Sequence, residues 1–415
     1  MNLHASPSPG RYAWIVVALL FPVALLNYLD RQMIAAMKTS VVGSISGITL
    51  DSQWGYMLGQ FKWVYAFLSP VGGYVADRFS RRWTICGSLL AWSVVTWLTG
   101  RVTTYEGLLW TRTAMGLSEA FYIPAALALI SDYHRGPTRS RATGIHQMGI
   151  YCGVIIGGFA GYAADAPSLG WRWAFDFTGL AGILYAIPLF LLLRDPARTN
   201  HNGPAGEKST SGGLRELLTN RSFLLLVFYF TLPALAGWVV RDWMPAILQK
   251  SFNISQGLAG VSATLYWQAA AILAALCGGW LADRWMRHTD RGRIYVSALG
   301  MACIIPALFG VGNAPALGSF TLAICSLILF GIGWGFFDIN NMPILCQIAR
   351  PGLRATGYGI MNFVSISCGG LADWGFGLMR DRGVALNAIF GVFATACIVS
   401  VLLVLLIRPR RVEGD

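Results

Sequence analysis

The sequence predicts an all-α membrane protein: twelve transmembrane helices arranged as two related six-helix bundles. Three observations carry this. The 415 residues are 55% hydrophobic and only 12% charged, with a mean hydropathy of +0.55, whereas a soluble protein carries roughly a quarter charged residues. Apolar stretches recur at the length of about 20 residues that a spanning helix needs. One long polar stretch divides them six and six, and short motifs recur on either side of it.

In chain order, the apolar stretches lie at 13–38, 54–76, 83–101, 107–132, 141–165 and 172–193, then at 222–248, 258–284, 293–313, 316–342, 354–379 and 384–407. The first is expected to remain in the mature chain: it is longer than a signal peptide's apolar core, contains Asp30 and Arg31, and has no small-residue cleavage site after it. The polar stretch 194–221 holds Gly203, Pro204, Gly206 and the run Ser209 to Gly213, a flexible composition. It is read as a linker between a six-helix bundle over 1–193 and another over 222–415.

The net charge of +12 raises the possibility of nucleic acid, and its placement argues against it. Loops on one side carry 21 Lys and Arg against 6 on the other, the bias of a positive-inside topology. Both termini are therefore expected in the cytoplasm and the chain in a cell inner membrane, in contact with lipid and with no nucleic-acid partner. The eight cysteines all fall within predicted spans, without a CxxC pair, and read as small packing residues. Neither cofactor nor metal is called for, no Walker-type phosphate loop is present, and a single chain is expected to suffice.

The two halves resemble each other. Gly73-Tyr-Val-Ala-Asp77-Arg78 recurs as Gly279-Trp-Leu-Ala-Asp283-Arg284; Gly116-Leu-Ser-Glu119, with Pro124 beyond it, recurs as Gly335-Phe-Phe-Asp338 with Pro343; Arg141-Ala-Thr-Gly144 recurs as Arg354-Ala-Thr-Gly357. Order is kept and the offsets differ by only a few residues, which argues for duplication, a common construction among transporters. The string at 73–82, Gly-Tyr-Val-Ala-Asp-Arg-Phe-Ser-Arg-Arg, resembles the signature between helices 2 and 3 of the major facilitator superfamily. The resemblance implies a major facilitator fold, and gating roles for Asp77, Arg78, Asp283 and Arg284 rather than solute contact.

Charges within spans are costly in hydrocarbon, so they face a partner or a cavity. Asp30 and Arg31 lie in span 1, Lys62 in span 2, Arg112 and Glu119 in span 4 and Asp338 in span 10; Arg241 and Asp242 are placed nearer the outer end of span 7. Asn27, Asp30 and Arg31 share one helix face, as do Arg112, Gly116 and Glu119. Lys62 shares a face with Tyr65, and Asp338 with Asn341. Deep carboxylates beside cations are suited to carrying a proton, and a guanidinium fork matches a carboxylate solute. Lys62 and Asp338 are a candidate gating pair. Gln147, Tyr151, Gln268, Asn341 and Asn362 are further polar candidates for the site, and His146 reads as a structural donor.

Asn27-Tyr-Leu-Asp30-Arg31 and Arg112-Thr-Ala-Met-Gly116-Leu-Ser-Glu119, with Pro124 beyond, look like the anion:cation symporter family, which includes sugar-acid/proton symporters and sialin. The starts of spans 5 and 6 are similar to it too. The resemblance implies proton coupling through Asp30 and Glu119 and anion binding by Arg31 and Arg112. Lys62 and Asp338 depart from that pattern. The expected function is then secondary transport, not enzymatic: proton-coupled symport of a small organic anion such as a hexuronate or hexonate by alternating access. Two rivals remain. One is a Spinster-like lysolipid transporter, because that family shares the Asn-Tyr-x-Asp-Arg string. The other is a drug/proton antiporter, against which Arg31, Lys62 and Arg112 speak.

Overall fold

The computed structural model describes residues 10–134, 138–195 and 211–409. These form sixteen α-helices and a short 3-10 turn at Pro351–Leu353, and among the described residues no strand is present. The first half holds α1 (Arg11–Ala36), α2 (Lys38–Ser44), α3 (Asp51–Arg78), α4 (Arg81–Thr99), α5 (Tyr105–Glu119), α6 (Tyr122–Tyr133), α7 (Arg139–Gly158), α8 (Ala160–Asp165) and α9 (Gly170–Leu192). The second holds α10 (Ser211–Thr219), α11 (Arg221–Phe252), α12 (Gln256–Met286), α13 (Gly292–Asn313), α14 (Phe320–Ile348), α15 (Arg354–Asp381) and α16 (Leu386–Leu406).

Nine of the described helical stretches are long and apolar enough to cross a membrane, counting α5 with α6 and α7 with α8 as one stretch each. The long helices α3, α4 and α15 are more polar, and with them the fold is consistent with twelve spans. Several helix starts are fixed by side chains that accept from the first free backbone N–H groups. Ser80 caps α4, Thr104 caps α5, Asn220 caps α11 and Ser319 caps α14. Within the stretch read as a linker, α10 is ordered: Leu217 is buried and Glu216 pairs with Arg350 at 3.1 Å. Its Leu214, Leu217 and Leu218 recur at helical spacing, so a flexible-looking composition still supplies one apolar face. Residues 196–210 lie outside the described residues.

The chain divides into two compact units. In the first, α1 packs on α7, α4 on α9 and α5, and α1 on α9. In the second, α11 packs on α15, α13 on α16 and α14, and α11 on α16. Each pairing in one unit has its counterpart in the other, as the repeated motifs require. The packing is close because glycines admit it. A Cβ at Gly153 of α7 would stand 2.3 Å from the Leu25 carbonyl of α1. On α15, Gly369 lies against the Trp238 ring of α11, 2.3 Å from where its Cβ would be.

The first unit includes residues 255–261 and the second includes residues 50–59. Each holds its borrowed segment by a carboxylate on a helix N-terminus, a favourable charge–dipole arrangement. In the first, the backbone N–H groups of Gln256 and Gly257 donate to Asp165 at 3.2 and 2.7 Å. In the second, those of Asp51 and Ser52 donate to Asp381 at 2.7 and 2.9 Å.

Candidate functional site

The buried charges of the first unit gather where α1, α3, α4 and α5 approach one another. The approach of α5 to α3 is set by Gly116, where a Cβ would meet the Phe61 carbonyl at 2.8 Å. One turn on, α5 ends at Glu119 and α6 begins at Tyr122. The break follows from Pro124, which lacks the N–H that would bond the Ala120 carbonyl four residues back. Glu119 is thus the last residue of a half-helix, fully buried.

Arg31 of α1 meets it. Its Nε donates to Glu119 Oε2 at 2.6 Å, a short charge-assisted contact. Three aromatic rings enclose the guanidinium: Tyr28 at 4.8 Å, Phe61 at 4.9 Å and Tyr65 at 4.6 Å from its Cζ. Each presents a π face to the cation. Glu119 Oε1 and Arg31 Nη2 are buried with no hydrogen-bond partner, so both members keep unspent capacity. Asn27, four residues before Arg31, is fully buried beside Glu119 with neither amide atom in hydrogen-bond geometry.

Asp30 takes a different partner from its neighbour. Thr96 Oγ1 of α4 donates to its Oδ2 at 2.8 Å, and its Oδ1 is unpartnered. Arg112 is buried and donates from Nη2 to Thr99 Oγ1 at 3.2 Å. Arg112 is nevertheless close enough to act electrostatically on both Asp30 and Glu119. Two cations, Arg31 and Arg112, and two carboxyl groups, Asp30 and Glu119, therefore act on one another electrostatically.

The structure brings together Asp30, Arg31, Tyr65, Arg112 and Glu119 as the sequence suggested. Lys62 is buried on α3, and Gln147 and Tyr151 are part-buried on α7. His146 lies with its Nε2 at 2.9 Å from the Tyr122 hydroxyl, a helix-to-helix contact. Sequence reasoning passed over Tyr28, Phe61, Thr96 and Thr99. Tyr28 sits inside the quoted span 1 string; the two threonines carry no signal, because a hydroxyl in a span ordinarily bonds its own helix.

In the second unit, Gln268, Asn340 and Asn341 are buried, Asn362 is part-buried and Asp338 is exposed. Arg241 of α11 acts electrostatically on Asp338. Arg241 lies 20 residues beyond the first residue of α11, as Arg31 lies 20 beyond the first residue of α1. Nearer the far end of α11, as the sequence suggested, it also holds the register of Arg31, a correspondence legible in the repeat offset. Among the gating candidates, Arg78 stacks on Tyr74 at 5.0 Å and Arg284 on Trp280 at 5.6 Å. Asp283 is exposed, and the side chain of Asp77 lies outside the described residues.

Residues 20–372 match the family model of the Major Facilitator Superfamily. The chain belongs to this superfamily. It is 33% identical over 399 residues to Protein spinster homolog 1 of Rattus norvegicus, covering 90% of this chain and 74% of that protein. It is 26% identical over 374 residues to Protein spinster of Drosophila melanogaster, covering 87% of this chain but only 61% of that protein's length. A crystal structure of a bacterial homolog of the human lysosomal transporter Spinster, inward-facing and unoccupied, superposes with a TM-score of 0.78 at 21% identity, covering 96% of each chain. That likeness concerns the fold. The chain is thus a transporter of the superfamily, with Spinster-type relatives, and not an enzyme. The likeness to sugar-acid symporters in residues 27–175 narrows to the superfamily they share.

Proposed function

We propose that this protein is a proton-coupled secondary transporter of an amphipathic organic anion, with Glu119 as the proton carrier and Arg31 as the anion receptor. The observation that carries the reading is the Arg31–Glu119 contact, sealed from solvent at the carboxylate and walled by three aromatic rings. Ionised Glu119 occupies the guanidinium. A proton on Glu119 removes that competing charge and frees two donor positions for a carboxylate or phosphate. The rings of Tyr28, Phe61 and Tyr65 suit the apolar part next to such a headgroup. With Asp30 ionised, the charges balance when Glu119 is ionised and again when Glu119 is protonated and an anion is bound, which lowers the cost of excluding water in those two states. The Spinster-type relatives support a lipid-like solute in place of the sugar acid that the symporter resemblance implied. The charge bias of the loops supports cytoplasmic termini in an inner membrane.

The test is solute movement in proteoliposomes under an imposed pH gradient, comparing lysophospholipids with hexuronates and hexonates. The expected result is proton-driven movement of the lysolipid. In Glu119→Gln it is lost, while solute exchange without a gradient persists. Proton-driven accumulation that survives in Glu119→Gln removes the proton assignment; movement of the sugar acids alone returns the solute to the small-anion class.

A further inference from the structure

We propose that Asp338, within electrostatic reach of Arg241 in the second unit, is a second proton-carrying group, so that the transporter moves two protons for each solute. The inference rests on the proton coupling argued above and adds a site and a stoichiometry to it.

The argument begins with equivalence. Glu119 and Asp338 each stand three residues after a glycine and five before a proline. Each glycine brings its helix against the neighbour that follows the same repeat. A Cβ at Gly116 would meet the Phe61 carbonyl of α3 at 2.8 Å, and one at Gly335 would meet the Ala271 carbonyl of α12 at 2.4 Å. The cations match as well, since Arg31 and Arg241 share a register on α1 and α11. An amide lies beside each carboxylate, though from different places: Asn341, buried at 1% exposure, is one turn on from Asp338 along α14, whereas Asn27 reaches Glu119 from α1.

The setting supplies the rest. Asp338 stands 10 residues before the end of α14, about 15 Å along the axis, and it is exposed. A carboxylate turned to hydrocarbon at that depth is expensive. Its neighbours are polar: Arg241 and Tyr229 on α11, with Ser297 of α13 near the buried Tyr229 hydroxyl. Arg241 and Tyr229 are the titratable groups that act on it from the helices packed on α14. Asp338 is thus the carboxylate with exposed surface in the conformation described, whereas Glu119 is sealed. The two carboxylates load at different stages of a cycle.

The experiment is the solute gradient at static head in proteoliposomes, with the membrane potential clamped at zero and the pH gradient varied. Two coupled protons give about a 100-fold solute gradient for a tenfold proton gradient, and one proton about 10-fold, because each tenfold ratio stores the same free energy. The wild type is expected to follow the steeper law, Asp338→Asn the shallower, and Asp338→Glu the steeper again. Exchange without a gradient reports that each variant is folded. A wild type with the one-proton slope overturns the proposal by itself, whatever the variants do. So does an unchanged slope in a competent Asp338→Asn. A wild type with no proton-driven gradient at all defeats the coupling reading as well, and is distinguishable from both.

Discussion

The first unit seals its carboxylate and the second exposes it. Glu119 is fully buried against Arg31, within an aromatic enclosure, at the end of a half-helix. Asp338 occupies the matching place on α14, which runs unbroken past Pro343 to Ile348 and leaves the side chain open. One ancestral arrangement has thus been kept twice, with different access. The same helix pairing and the same glycine contacts do not fix how wet a site is; the side chains around it do. Phe61 and Tyr65 on α3 close over the first pair.

The largest test of this contrast is stability. Removing one partner of a buried pair costs about 3–5 kcal/mol because the other charge is stranded. Arg31→Ala is expected to pay that in thermal-shift measurements of the purified protein, and Glu119→Gln added to it to restore most of the loss. Arg241→Ala, which removes the cation acting on the exposed Asp338, is expected to lose less than half as much. Equal losses break the contrast between a sealed and an open pair.

A smaller effect concerns Asp30. Thr96→Val removes the donor to a buried carboxylate oxygen, at a cost of about 1–3 kcal/mol, while Thr96→Ser keeps the bond and most of the stability. Similar loss in both variants points to packing instead. Next come the glycines. Overpacking costs about 1–3 kcal/mol, and Gly153→Ala is expected at the upper end, because Leu25 presents backbone. Gly369→Ala is expected at the lower end, because the Trp238 ring can turn aside. The smallest contrast is in the caps. Asn220→Ala removes the bonds to Ser222 and Phe223 at the start of α11, worth about 1 kcal/mol. Gly10→Ala at the start of α1, which has no side-chain cap, is expected to change the melting temperature much less.

Much of the architecture was legible because lipid imposes it. Segment length and hydropathy mark spans, and glycine, proline and charge recur at matching offsets in both halves. The members of the charged cluster were legible too, since ionisable groups within apolar stretches stand out. Its pairing was not. Asp30 and Arg31 are consecutive on α1, yet one goes to Thr96 of α4 and the other to Glu119 of α5. The correspondence of Arg241 with Arg31 lay in the repeat offset but needed helix starts to be located before the register could be counted.

By itself, then, the chain determined its helices, its duplication and the residues that carry charge into the membrane, because these depend on local composition and period. Tertiary structure alone decided which carboxylate meets which cation, which is sealed and which is open. Those outcomes depend on the rotation and closeness of neighbouring helices, set by contacts such as Gly116 on Phe61, and spacing along a single helix does not encode them.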